Sequence, residues 1–272
     1  MRYLIAHAPW APGRKQALSR LLEQLPEGVE VIQSRGPEHA AIWSRRLWER
    51  AAEIGCACWS HACAYDHDHV VLLNDDVHVA ADLDARLRRA VAAVPDECIS
   101  LHCNNPNALP VTGAWARCYH YSGPGVVLPP GAAAGLLDFV YSLSWSLLSR
   151  MNEDNVAAAW AWSRQRPFWY LLPSPVTHDP GVPSTLGYDA HPHRVPVTDG
   201  PERDVTDTTA PFVEIDWCVT PGLRYRREVI RSGQHLCTFC VGRVGTVGSV
   251  EQGIMLCNAC LAELTSAALR AK

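Results

Sequence analysis

The sequence predicts a layered α/β domain with a mostly parallel central sheet, followed by a small module built on paired cysteines. Short apolar runs alternate with stretches of helical periodicity through the first two-thirds of the chain. One of those runs, His69-Val-Val-Leu-Leu-Asn74, is apolar without alternation, as a strand buried on both faces requires. Near the end, Cys237-Thr-Phe-Cys240 and Cys257-Asn-Ala-Cys260 form two close pairs with sixteen residues between them.

In chain order, Tyr3 to His7 reads as a strand, and Leu18, Leu21, Leu22 and Leu25 mark an amphipathic helix that Pro26 and Gly28 end. Val29 to Gln33 is the next strand. A helix from Glu38 to Ile54 comes after it, with Ile42, Leu47, Ala51 and Ile54 along one face and Gly55 as its stop. After a loop comes the run to Asn74, with Asp75 and Asp76 at its carboxyl end. A helix from Ala81 to Val94 and a strand from Cys98 to His102 complete four strands alternating with three helices. The remainder reads as a loop from Cys103 to Gly125, a strand at Val126 to Leu128, and an apolar helix from Ala132 to about Ser149. Then come a helix from Val156 to Arg166, a strand from Phe168 to Leu172 and a turn-rich PSPVTHDPGVPSTLG segment. Trp160 and Trp162 read as packing residues. Six prolines between Pro180 and Pro211 mark an extended wrap or linker, so residues 1–220 form the large domain and 221–272 the small one.

Composition narrows the class. With 272 residues and 48% hydrophobic and 19% charged side chains, the chain can bury a sizeable core, which excludes wholesale disorder. Eleven cysteines, an odd number at low density, argue against a secreted disulfide scaffold. The richest apolar stretch, Val126 to Val140, is broken by Pro129, Pro130 and Asp138, so no membrane span is expected. The N-terminus has too short an apolar core for a secretory signal, and a cytoplasmic protein is expected.

Open α/β sheets bind ligands beyond the carboxyl ends of their strands, where Asp75 and Asp76 stand. Hard carboxylate oxygens there suit Mg²⁺ or Mn²⁺ that also holds a diphosphate. The competing reading has one Asp capping the next helix and the other solvated.

The segment HDHVVLLNDDV with the helix after it resembles the glycosyltransferases of the GT-A type, whose bacterial and phage members carry a DxD-like metal motif in this setting. Asn152-Glu153-Asp154 resembles that family's acidic xED element before a helix, and His178, after PSPV, its late metal-completing histidine. The resemblance covers about residues 1–187 and implies a GT-A-like layered domain. It implies Asp76 as the principal metal-binding carboxylate, Asp75 as its neighbour orienting the donor ribose or assisting the metal, and His178 as a further ligand. Asp154 would be the general base, with Glu153 as the substitute. Asn74 stands where the family usually has an acid. Read without the family, His178 is equally a core or surface histidine, and Asp154 equally a helix N-cap. The implied activity is transfer of a sugar from a nucleotide-sugar donor to an acceptor hydroxyl. The divalent cation would neutralise the leaving diphosphate while Asp154 takes the acceptor proton; inversion at the anomeric carbon follows if Asp154 acts this way, and a retaining outcome stays open because retaining enzymes share the fold and the acidic motif.

The spacing of Cys237, Cys240, Cys257 and Cys260 suits one structural Zn²⁺ held by four thiolates. The second pair, with the helix expected after it, resembles a knuckle of treble-clef and GATA-type fingers. Just before the finger, Arg224, Arg226, Arg227 and Arg231 form a cluster able to track phosphates; the rival reading is a basic strand packed on an acidic domain. A finger joined to a phage-like transferase suits an acceptor such as hydroxymethylated pyrimidine in DNA. The net charge of −4 argues mildly against tight nonspecific DNA binding, so a glycan or protein acceptor stays open. The reading from a different class is a non-enzymatic zinc protein that binds a nucleotide or DNA. Cys56, Cys58, His61, Cys63, His67 and His69 hold enough ligand atoms for another metal, against a loop of buried small thiols.

Overall fold

The computed structural model describes residues 1–35, 47–105, 108–119, 123–143, 153–183 and 202–213, together with 235–236, 244–245, 247–249, 254–256, 258 and 261–262 of the C-terminal module. The described elements are β1 (Arg2–His7), α1 (Arg14–Leu22), β2 (Glu30–Gln33), α2 (Leu47–Ala62), β3 (Val70–Asn74), β4 (Val77–Val79) and α3 (Leu83–Ala93). They continue with β5 (Ile99–Ser100), β6 (Trp115–Cys118), β7 (Gly125–Leu128), α4 (Ala132–Ser142), α5 (Glu153–Ser163), β8 (Phe168–Leu171) and β9 (Val176–His178). Four short strands belong to the C-terminal module: β10 (His235–Leu236), β11 (Val244–Gly245), β12 (Val247–Ser249) and β13 (Ile254–Leu256).

Seven strands form one sheet in the order β2-β1-β3-β7-β5-β8-β6. β1, β2, β3, β5 and β8 share one direction, while β7 and β6 run against it. The mixed α/β architecture with a largely parallel sheet is therefore as the alternation of apolar runs and helices predicts. Along β3 the side chains divide between two cores, Val70 and Leu72 on one face and Val71 and Leu73 on the other, which accounts for its continuous apolar run. α2, α4 and α5 cover the first face, and α1 and α3 cover the second. The result is a three-layer sandwich whose central strands are buried on both sides.

Several segments differ from the sequence expectation. α4, expected to run to about Ser149, ends at Ser142, where Leu143 turns to extended backbone. Gly55 does not stop the helix; α2 runs through it to Ala62, so Cys56 and Cys58 lie on a helix and not in a loop. Glycine is needed there because a Cβ would stand 2.7 Å from Cβ of Glu153 on α5. The stretch expected as a loop from Cys103 contains β6, the edge strand, antiparallel to β8. Its outer side is covered by residues 202–213. The Arg117 N–H donates to the Pro211 carbonyl at 2.8 Å, the Val213 N–H to the Arg117 carbonyl at 2.9 Å, and Trp115 Nε1 to the Val205 carbonyl at 3.0 Å. Such cover removes the open hydrogen-bonding row of an edge strand. The turn-rich segment after Pro175 contains β9, which pairs antiparallel with β4. α5 begins at Glu153, so Glu153 and Asp154 occupy its first turn and not the chain before it.

In the C-terminal module β10 pairs with β11 and β12 with β13, both antiparallel. Cys237 and Cys240 fall in sequence between the first two strands, and Cys257 comes directly after β13. Those cysteines, Cys260, the Arg224, Arg226, Arg227 and Arg231 cluster, and the boundary near residue 220 lie outside the described residues. Leu261 packs against the core beneath α2, α4 and α5. Among the described residues no helix is long and apolar enough to cross a membrane.

Candidate functional site

The carboxyl ends of β1, β3 and β5 and the amino end of β7 share one rim of the sheet. Parallel register pairs Ala6 with Asn74, so His7, the last residue of β1, stands beside Asp75, the first residue past β3. His7 Nδ1 lies 2.6 Å from Asp75 Oδ2, and the Ala8 N–H donates to the same oxygen at 2.9 Å. Arg14 Nη1 donates to the other oxygen of Asp75, and its Nη2 lies 2.9 Å from Asp76 Oδ2. Arg14 opens α1 directly after Gly13, whose φ of 77° is a left-handed conformation open to glycine at little cost. That turn sends the guanidinium back under the rim, where Arg14, Asp75 and Asp76 are all buried. Both Asp75 oxygens are thus engaged by the protein, which makes Asp75 an anchor for the rim.

Asp76 leads into β4. The β4–β9 ribbon pairs Val77 with His178, and the Asp179 N–H donates to the Asp76 carbonyl at 2.7 Å. His178 Nδ1 therefore stands 3.5 Å from Asp76 Oδ2, buried and without a hydrogen bond among the described residues. The resemblance pairs these two residues across 102 positions of sequence, and the fold sets them together. Behind them, His102 donates from Nδ1 to the Val176 carbonyl at 3.1 Å, since a carbonyl only accepts. Its ring meets that of His178 edge-on with centroids 5.5 Å apart. Asp179 binds Arg20 at 2.5 Å and lies 3.5 Å from His78. Burial works to raise its carboxyl, but the Gly181 N–H and Arg20 hydrogen bonds, with the neighbouring charges, hold it below the ordinary value.

The acidic pair of α5 reaches the same rim from the other face. The Asn74 N–H donates to the Pro124 carbonyl at 3.0 Å, and Gly123, one residue earlier, faces Asp154. A Cβ on residue 123 would lie 2.6 Å from Asp154 Oδ1, so a side chain there would force that carboxylate to shift. Burial pushes the Asp154 carboxyl well above its ordinary value, and the charge of Glu153 pushes it further. Burial raises Glu153 as well, offset by its own backbone N–H. Glu153 Oε2 and Asp154 Oδ1 are buried and make no hydrogen bond among the described residues. The first turn of a helix favours negative charge by roughly 0.3–1 kcal/mol, too little to cancel desolvation of this depth.

The donor set fits a divalent cation that arrives with ligands of its own. Two atoms each bonded about 2.1 Å from one cation stand about 3.0 Å apart at a right angle and about 3.4 Å at a tetrahedral one, near the observed Asp76 to His178 separation. Among the described residues no three of His, Cys, Asp and Glu gather as a ready cage. Mg²⁺ and Mn²⁺ sites of one or two protein ligands completed by phosphate and water have this composition.

The other cysteine cluster is not drawn together. α2 carries Cys56 and Cys58 as thiols pushed up to about 11 and about 12, by burial first and then by the charge of Glu153. Cys63 lies just past the helix, His61 and His67 are exposed, and His69 donates to the Pro95 carbonyl at 2.7 Å. Three rim residues, His7, Arg14 and His102, carry no motif in the sequence. Only the position of His7, at the end of the strand before the first helix, offers a usable signal, because a rim residue next to Asp75 is what the parallel order demands. No protein-family model matches the chain, and no curated protein matches it.

Proposed function

We propose that the protein is a metal-dependent glycosyltransferase of GT-A type that moves a sugar from a nucleotide-sugar donor to an acceptor hydroxyl. The observation that carries this reading is the meeting, on one rim, of Asp76 and His178 at 3.5 Å with the half-buried Asp154, whose Oδ1 is buried against Gly123. Asp76 and His178 would hold Mn²⁺ or Mg²⁺, which supplies charge neutralisation for the departing nucleoside diphosphate. Asp75, fixed by His7, Ala8 and Arg14, holds the rim in the shape that presents Asp76.

Asp154 acts as the base. A carboxyl raised by burial accepts a proton more readily near neutral pH than an ordinary one. The acceptor oxygen bonds to the anomeric carbon as its proton passes to Asp154, and the bond from that carbon to the diphosphate oxygen breaks. A single displacement of this kind inverts the anomeric centre. The charge of Glu153 beside it strengthens that proton affinity further.

The four C-terminal cysteines would bind one structural zinc, and the finger with the preceding arginines would hold a polymer acceptor, DNA bearing hydroxymethylated pyrimidines being the best fit to a phosphate-tracking cluster. Hydroxymethylated and unmodified DNA, a glycan and a protein acceptor are incubated with the protein, Mn²⁺ and a panel of nucleotide sugars, and the products are weighed. A hexose-sized mass gain on hydroxymethylated nucleosides supports this acceptor. Gain on the glycan or protein alone reassigns it, and no gain anywhere, with no release of nucleoside diphosphate, contradicts the transferase.

A further inference from the structure

Asp76 Oδ2 faces two groups at once, His178 Nδ1 at 3.5 Å and Arg14 Nη2 at 2.9 Å. The oxygen assigned to the metal is thus already neighbour to a fixed positive charge. Arg14 is not a surface arginine that can swing away. Its side chain is 6% exposed, Asp75 holds its other nitrogen, and the Pro183 carbonyl lies 3.4 Å from Nη2. A guanidinium cannot shed its proton in this setting. Histidines apart, the two aspartates and Arg14 sum to a single negative charge. The nearby Asp179 adds nothing to that sum, being paired with Arg20.

A divalent cation gains little from one net negative charge when it must also lose water. The diphosphate of a donor brings the missing charge and further oxygen ligands. Resting on the metal reading above, we propose that Arg14 is a resident counter-cation that makes metal capture by Asp76 and His178 conditional on a nucleoside diphosphate. The two ligands then bind as a pair, and by linkage the diphosphate tightens the metal by the same factor as the metal tightens the diphosphate. Free Mn²⁺ or Mg²⁺ is not held between turnovers.

Mn²⁺ binding followed by electron paramagnetic resonance tests this without recourse to turnover. Full-length protein is titrated with Mn²⁺ alone and with UDP, GDP, ADP and CDP in turn. Wild type binds Mn²⁺ weakly alone and about tenfold or more tightly with at least one diphosphate. Arg14→Gln binds Mn²⁺ alone about tenfold or more tightly than wild type, and the diphosphate effect shrinks. Arg14→Lys keeps the charge and stays near wild type. Asp75→Asn removes one negative charge, keeps Arg14 and weakens Mn²⁺ further, so the charge series is read even where Arg14→Gln does not fold. Mn²⁺ affinity that is unchanged or weaker in folded Arg14→Gln, or unchanged in Asp75→Asn, while Asp76→Asn abolishes binding, overturns the role of Arg14 and leaves the metal site standing. Absence of Mn²⁺ binding by wild type with every diphosphate overturns the metal reading and this inference with it.

Discussion

Asp154 lies so close over Gly123 that a single methyl group on residue 123 would stand 2.6 Å from its Oδ1. Gly123 precedes Pro124, whose carbonyl accepts the Asn74 N–H, so this contact ties the first turn of α5 to the end of the strand that carries Asp75 and Asp76. Gly123→Ala is expected to push Asp154 out of place while leaving the Asp76 and His178 pair intact. A displacement of this size lowers kcat by about 10–100-fold. Steady-state kinetics beside Mn²⁺-dependent nucleotide binding separates the two effects, and loss of both together would contradict the assignment.

The buried carboxyls of α5 make stability depend on pH. Asp154 and Glu153 have folded values above their unfolded ones, so the folded state holds their protons more tightly. Their contribution is fully present below about pH 4, the unfolded carboxylate range, and is lost as pH rises through the raised folded values. Asp154→Asn is therefore expected to raise Tm near pH 7, by roughly 2–4 °C for each kcal/mol relieved, and to flatten the fall in Tm between acid and neutral pH. On the proposed function the same variant is expected to lose transferase activity. In the wild type kcat is expected to fall as pH drops below the raised value of Asp154, since a protonated carboxyl cannot serve as base. A Tm profile with the same slope in Asp154→Asn would refute this account.

Gly55 sits inside α2, where alanine would ordinarily favour the helix by about 1 kcal/mol. The approach of Glu153 reverses the sign, because a Cβ there would meet Cβ of Glu153 at 2.7 Å. Overpacking of this kind costs about 1–3 kcal/mol, so after the helix gain is subtracted Gly55→Ala is expected to lose up to about 2 kcal/mol in urea denaturation. Equal or greater stability would show that α2 and α5 do not meet this closely.

Zinc is expected at one atom per chain by elemental analysis of protein purified without added metal. Cys257→Ser should lower that content and open the C-terminal module to protease, while the large domain keeps its cooperative unfolding.

The large domain was legible because its strands are buried on both faces, and a run such as Val70 to Leu73 suits the middle layer of a sandwich better than any half-exposed element. The meeting of Asp76 with His178 was foreshadowed by order along the chain, although only the β4–β9 pairing sets the distance. Gly55 misled because local rules treat glycine as a helix stop, whereas its reason for being there is Glu153, 98 positions away. β6 stayed hidden because Trp115-Ala-Arg-Cys118 is short, and the cover given by residues 202–213 comes from a segment with no period of its own. Arg14 reads as one more polar residue in an amphipathic helix. Its partners lie 61 and 62 positions on, and no local pattern signals them.

The most direct test of the metal-dependent donor site is the melting temperature of the protein with nucleoside diphosphates, each measured with and without Mn²⁺ or Mg²⁺. A diphosphate should raise Tm only when the cation is present, by about 3–5 °C for each factor of ten that the ligand exceeds its Kd. Asp76→Ala should abolish the shift. A shift that needs no metal, or one that survives Asp76→Ala undiminished, would contradict the account.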